Sequence, residues 1–192
     1  KLGGPQGVGV AVMRRGLAAE PLAHGGGQDR GLRSGTFAVG LIAACGAAVE
    51  RAVAEREVLR ERLAVLSSRL ADGLVGIEGV RRSGPADASA RLASHVHVMV
   101  DGVDGEALAL GLDAAGIAAS AGSACSSGAA AASHVVAACG LAGTPLRLSL
   151  GWTSDEAEVD HAVTVLGALV PRLRAGGDVF GLETLGAAGT AH

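Results

Sequence analysis

Residues 95–120, HVHVMVDGVDGEALALGLDAAGIAAS, change periodicity twice over a short distance. HVHVMV (95–100) alternates polar and apolar residues, the mark of a half-buried strand. Asp104 then opens a helical segment that Gly116 closes, and IAAS (117–120) reads as a second short strand. Strand, helix and strand in close succession predict an α/β or α+β chain. Outward from this stretch the alternation of elements continues. SHVVAACG (133–140) reads as a helix ended by glycine. LRLSL (146–150) alternates again, and TSDE (153–156) reads as a capping box in which Thr153 and Glu156 open a helix running to about Arg174. On the other side, a helical pattern begins at Phe37. Leu59, Leu63, Leu66 and Leu70 share one face of it, and Gly73, Gly76 and Gly79 are expected to cap its end. Residues 3–13, GGPQGVGVAVM, predict a turn leading into a short buried strand. No internal repeat appears.

Composition narrows the function classes. The chain has 192 residues, 49% hydrophobic and 18% charged, which fits one large or two small globular domains rather than a disordered chain. No apolar run reaches the roughly 18 residues of a membrane span. A net charge of −3 and an aromatic content of 2% argue against a nucleic-acid partner, which needs a basic field or stacking platforms. Three scattered cysteines give no disulfide framework and suit a reducing cytoplasm. Lys1 is the single lysine among 16 Lys and Arg residues. No initiator Met or signal-peptide pattern precedes it, and the chain is expected to be the C-terminal part of a longer protein.

Five features could carry chemistry. Cys125 lies in AGSACSSG (121–128) among small residues only. Nothing bulky buries its thiol, and the loop offers a mobile tether for a nucleophile that carries a group; a buried structural thiol is the alternative. Cys45 and Cys139, inside apolar helices, read as structural. The glycine-rich loop HGGGQDRGLRSGT (24–36) offers turned-in amides with Arg33, Ser34 and Thr36 as further donors, a phosphate-cradling chemistry that a plain surface loop would also produce. Arg147 points away from the leucine face of LRLSL, where a planar fork on a rigid strand suits a carboxylate; a solvated strand face is the alternative. Lys1 before a Gly-Gly-Pro turn could form a Schiff base. His95 and His97 share a strand face at metal-pair spacing, but no third ligand is near and no metal is expected.

Together these segments resemble the cysteine desulfurases over roughly residues 1–174. KLGGPQGVGVAVMRRG resembles the family's pyridoxal-phosphate lysine followed by a GPxGVGAL-type turn. HGGGQDRGLRSGT resembles the signature HGGGQERGLRSGT, and ASAGSACSSG resembles the active-cysteine loop. SHVVAACGL and LRLSLGWTSDEAEVDHAV resemble the segments that follow. The longer, SGSAC-bearing loop resembles the branch serving iron–sulfur cluster assembly and tRNA thiolation.

The resemblance implies the C-terminal part of a fold-type I pyridoxal-phosphate enzyme. Residues 1–50 would be a remnant of the cofactor-binding large domain, 51–175 an α+β small domain and 176–192 a flexible tail. It implies Lys1 as the Schiff-base lysine, Thr36 and Arg33 as cofactor-phosphate ligands reaching across a homodimer interface, Cys125 as the persulfide carrier and Arg147 as the clamp on the substrate α-carboxylate. The family's ring-stacking His, pyridinium-pairing Asp and phosphate-binding turn would precede Lys1. The implied reaction takes sulfur from L-cysteine, releases L-alanine and passes the persulfide sulfur to an iron–sulfur scaffold or a tRNA-thiolation enzyme. Two other functions fit parts of the pattern: a related pyridoxal-phosphate lyase or aminotransferase, which requires no cysteine in the 121–128 loop, and a non-catalytic dimerisation or binding module.

Overall fold

The computed structural model describes residues 2–121 and 134–177. It divides into two compact units between Glu57 and Val58, a boundary that falls within the long helix α1 (Val39–Val75).

In the first unit the chain runs irregularly up to α1, apart from one 3-10 turn at Asp29–Gly31. The strand expected within residues 3–13 does not form. A strand persists by pairing, and no other described segment of this unit is a strand. Val10 and Val12 are accordingly 74% and 93% exposed, and no described residue of this unit is buried.

The second unit is a two-layer α/β structure. Its sheet has the order β1 (Val80–Arg82), β2 (His95–Val100), β4 (Thr144–Ser149), β3 (Ser120–Ala121), antiparallel throughout. Val80 lies opposite Val100, Val96 opposite Leu148 and Val98 opposite Leu146. Their side chains share one face and form a single core with Leu63, Leu66, Leu70 and Leu74 of α1, Leu108 and Leu112 of α2 (Gly105–Ala114), and Val159, Val165, Leu166 and Leu169 of α4 (Glu156–Arg174). The expected leucine stripe is therefore the buried stripe, although Leu59 is only partly covered.

Helix ends follow local chemistry. Asp104 caps α2 as expected, its carboxylate accepting from the amides of Glu106 and Ala107 at 3.0 and 2.9 Å. The Ile117 amide still bonds the Leu112 carbonyl at 2.9 Å. The chain is thus still completing α2 there, and β3 starts at Ser120, later than IAAS suggested. The cap of α4 is Asp155 rather than Thr153: its carboxylate accepts from the Glu158 amide at 2.9 Å. The box is displaced by two residues because the charged Asp is the stronger acceptor. The helix expected over 133–140 is the short α3 (His134–Ala138). No described helix is long and apolar enough to cross a membrane.

Arginines on α1 and α4 tie the helices to the rest of this unit. The Arg69 guanidinium on α1 donates to both carboxylate oxygens of Asp160 on α4, at 2.8 and 2.6 Å, and to Glu156 at 3.2 Å. At the end of α4, Arg174 donates from Nε to the Asp101 carbonyl at 2.7 Å and from Nη1 to the Glu78 carbonyl at 2.6 Å. Arg174 reaches these carbonyls over Gly79, where an added Cβ would sit 2.6 Å from Nη2.

Gly73 has a different role from the cap expected of it. It lies inside α1, where an added Cβ would stand 2.6 Å from Cγ2 of Val163 on α4. Its missing side chain lets the two helices approach. Gly73→Ala gains helix propensity of up to about 1 kcal/mol, but it drives a methyl into a stiff β-branched neighbour, at a cost of roughly 1–3 kcal/mol. We expect a net loss of stability in urea unfolding that Val163→Ala partly restores in the double variant. Equal or greater stability of Gly73→Ala alone would refute the close-approach role.

Candidate active site

The glycine-rich loop of the first unit is held by its own polar groups. The Gly35 amide donates to Gln28 Oε1 at 3.1 Å and the Ser34 hydroxyl to the Ala23 carbonyl at 3.0 Å. Gly35 adopts a φ of 108°, open to glycine alone without strain. Asp29 and Arg30 take left-handed φ values of 47° and 60°, a conformation that costs non-glycine residues of order 1 kcal/mol and recurs at ligand sites. Ser34 and the Gly35 amide, expected as ligand donors, thus spend their protons inside the loop. Arg33 gives one donor to the Ser34 carbonyl and keeps the rest of its fork. The Thr36 hydroxyl is exposed and bonds no other described residue. What the loop offers is one exposed guanidinium and one exposed hydroxyl.

In the second unit, Arg147 stands on the face of β4 opposite the core, paired in register with His97 of β2 and Ser120 of β3. Its guanidinium makes no hydrogen bond or ion pair with another described residue. With Ser83, Arg91, His95 and His97 it borders a pocket of about 310 Å³. Leu146 and Leu148 on either side of it are buried, so a rigid strand carries the guanidinium. The expected fork on a strand face is thus present, with a concavity beside it.

The two histidines of β2 have separate partners. Nδ1 of His95 meets the Ser94 hydroxyl at 2.8 Å, and Nδ1 of His97 meets the Ser83 hydroxyl. No group of three or more metal-type side chains occurs among the described residues. Burial, and then the charge of Arg147, push the His97 pKa below the ordinary 6.5. The sequence gives no local signal for the Ser83–His97 pair, since β1 and β2 are brought together only by the sheet.

Lys1 and Cys125 lie outside the described residues. Cys139 follows α3 and is exposed, and Cys45 is half-buried. Cys45 lies inside α1 as expected, but it is only half-buried and no described residue of its unit is buried; the reading of Cys139 as a buried thiol inside a helix is corrected, because α3 ends before it.

Residues 1–162 match the profile of the aminotransferase class-V family. The chain belongs to that family. Relatives of this class-V chain include an IscS-like cysteine desulfurase of Mycobacterium tuberculosis, 45% identical over 179 residues that cover 91% of the chain and 45% of the relative. The cysteine desulfurase IscS of Methanosarcina thermophila is 41% identical over 175 residues, 89% of the chain and 43% of the relative. Among solved structures, a NifS-like protein superposes with a TM-score of 0.75 at 31% identity, covering 88% of the chain and 43% of that protein. The chain spans less than half the length of these curated relatives. The fold class is that of the class-V aminotransferases, the pyridoxal-phosphate enzymes of fold-type I.

The depressed pKa of His97 fixes the direction of a pH effect. The unfolded chain protonates this histidine near 6.5, before the folded chain does. Stability from the neutral ring is therefore complete above that pH and is lost as pH falls from there to the folded-state pKa. In urea unfolding at a series of pH values, the wild-type chain is expected to lose stability relative to His97→Asn across that window. Parallel curves for the two proteins would disprove the assignment.

Proposed function

We propose that this chain is the C-terminal part of a cysteine desulfurase, taking sulfur from L-cysteine as a persulfide for iron–sulfur cluster assembly or tRNA thiolation. The observation that carries the reading is Arg147: a guanidinium without a described partner, fixed on a buried-backed strand beside a pocket that no described carboxylate lines. Relatives named cysteine desulfurase at 41–45% identity support it.

The donors of the first unit fit one end of the family's cofactor. A guanidinium and a hydroxyl suit a phosphate monoester, so Arg33 and Thr36 would reach across the homodimer interface to the phosphate of the neighbouring subunit's pyridoxal 5'-phosphate, and Lys1 would hold the aldehyde carbon of its own. Bound there, the cofactor supplies the electron sink for bond cleavage on the substrate. The remaining work belongs to the chain. Arg147 would fix the substrate α-carboxylate bidentately and so orient its side chain. The Lys1 amine would move protons at the substrate's α-carbon. The Cys125 thiolate would attack the substrate sulfur. The new S–S bond forms as the substrate's Cβ–S bond breaks, the electron pair stays with carbon, and protonation there releases alanine.

The same reading assigns residues 1–50 to the end of a large domain, 51–175 to a small domain and 176–192 to a tail. It also places the protein in the cytoplasm as a homodimer that hands its sulfur to an acceptor protein.

The test uses a protein that contains this chain and is loaded with cofactor. Cys125→Ser should lower cysteine-dependent sulfide release by about 10³-fold or more while keeping the yellow absorbance. Alanine release at the parental rate would overturn the role of Cys125. Separately, Arg147→Lys should raise KM for cysteine by about tenfold or more, because a point charge does not replace the fork. Parental kinetics with Lys would move the clamp elsewhere.

A further inference from the structure

Across the face of the sheet away from the helices, four residues stand in one row. Ser83, just beyond β1, meets His97 of β2; His97 pairs in register with Arg147 of β4, and Arg147 with Ser120 of β3. Directly opposed residues hold their Cβ atoms about 4.5–5.5 Å apart, so the imidazole and the guanidinium are neighbours.

Hydrogen bonding constrains the state of the ring. The Ser83 amide donates to the His97 carbonyl at 3.0 Å, and the Ser83 hydroxyl donates to the same carbonyl at 3.2 Å. A hydroxyl has one proton. With that proton directed at the carbonyl, Ser83 accepts Nδ1–H from the ring, and the lone pair of the neutral imidazole is on Nε2. A lone pair is the better neighbour for a cation, so the Arg147 charge favours this tautomer as well as the neutral form.

Among the described residues the surroundings contain no opposing charge. The described charged and titratable groups bordering the pocket beside His97 are Arg82, Arg91, Arg147 and His95, with no carboxylate. Arg82 is opposite Val98 and so belongs to the helix-covered face. Arg91 spends its fork on the Pro85 and Ala86 carbonyls, and His95 is paired with Ser94. The field on His97 is thus set mainly by Arg147 and by whatever Arg147 binds.

We propose that His97 is a proton-controlled partner of Arg147 in carboxylate binding: neutral while the site is empty, it takes up a proton from solvent when a carboxylate settles on the guanidinium. The inference rests on the reading of Arg147 as the carboxylate clamp. Burial and then the Arg147 charge keep the ring neutral; a bound anion cancels the second of these and lets the imidazolium add its own charge to the site. Linkage makes the effect reciprocal. If the carboxylate raises the proton affinity of His97, protonation of His97 tightens the carboxylate by the same factor. Affinity therefore rises as pH falls through the histidine range.

The experiment is NMR on the isotope-labelled 192-residue chain, with propionate as the probe, a carboxylate with alanine's carbon skeleton and no ammonium. The Arg147 Nε–H resonance and the His97 ring are both expected to respond, and the His97 titration midpoint to move upward. The dissociation constant should be about two- to fivefold lower near pH 5.5 than near pH 7.5, the range of a partly exposed charge pair. His97→Asn should abolish that pH dependence, and His95→Asn should keep it. Propionate that shifts Arg147 while the His97 midpoint stays fixed would overturn the inference and leave the clamp standing. A response at neither residue would overturn the clamp itself. The wild-type titration needs no variant, so the result stands even if His97→Asn unfolds.

Discussion

The pairing of β2 with β4 is the constraint on which the second unit depends. Six residue pairs, from His95 with Ser149 to Val100 with Thr144, hold the two central strands antiparallel. Side chains alternate between faces with a period of two, so a slip of one residue would turn every one of them over. Val96, Val98, Leu146 and Leu148 would go to solvent, and His97 and Arg147 would be pressed beneath three helices without partners, an arrangement that buried charge does not tolerate. The apolar core and the cationic face are therefore one decision. The packing that positions Arg147 is the packing that stabilises the unit, which is why the guanidinium can be well placed without a described partner.

The two units contrast in how they hold chemistry. Arg147 and His97 stand on strands whose other side is buried. Arg33 and Thr36 stand on a loop that organises itself through Gln28, Ser34 and Gly35 and has no buried residue behind it. Such a loop keeps its local shape while leaving its donors to a ligand. It is a surface that completes something rather than one that is complete.

Much of this was legible in the sequence because it is local. The alternation of HVHVMV, the leucine stripe of α1, the Asp104 cap and the exposed position of Arg147 each follow from neighbours a few residues apart, and each was found. The errors share a different origin. The 3–13 stretch has strand-like composition but no strand to pair with in its unit. Gly73 looks like a terminator because its use, room for Val163, involves a residue from another helix. Thr153 fits a capping pattern that Asp155 satisfies better. The Ser83–His97 pair and the pocket beside Arg147 arise only when β1, β2 and β4 are side by side. Glycine spacing marks a chain's breaks, but it does not distinguish a break from a close approach.

Arg174 gives α4 a fixed length. The helix is anchored at one end by the Asp155 cap and at the other by a guanidinium that must reach the Asp101 and Glu78 carbonyls over Gly79. One residue added or removed between them would rotate Arg174 by about 100° around the helix axis and carry it off both carbonyls. Insertions and deletions should therefore be absent from α4 across the family's natural variation, and a side chain at position 79 should appear only where position 174 has lost its arginine. The helix acts as a ruler, and the glycine and the arginine work as a pair.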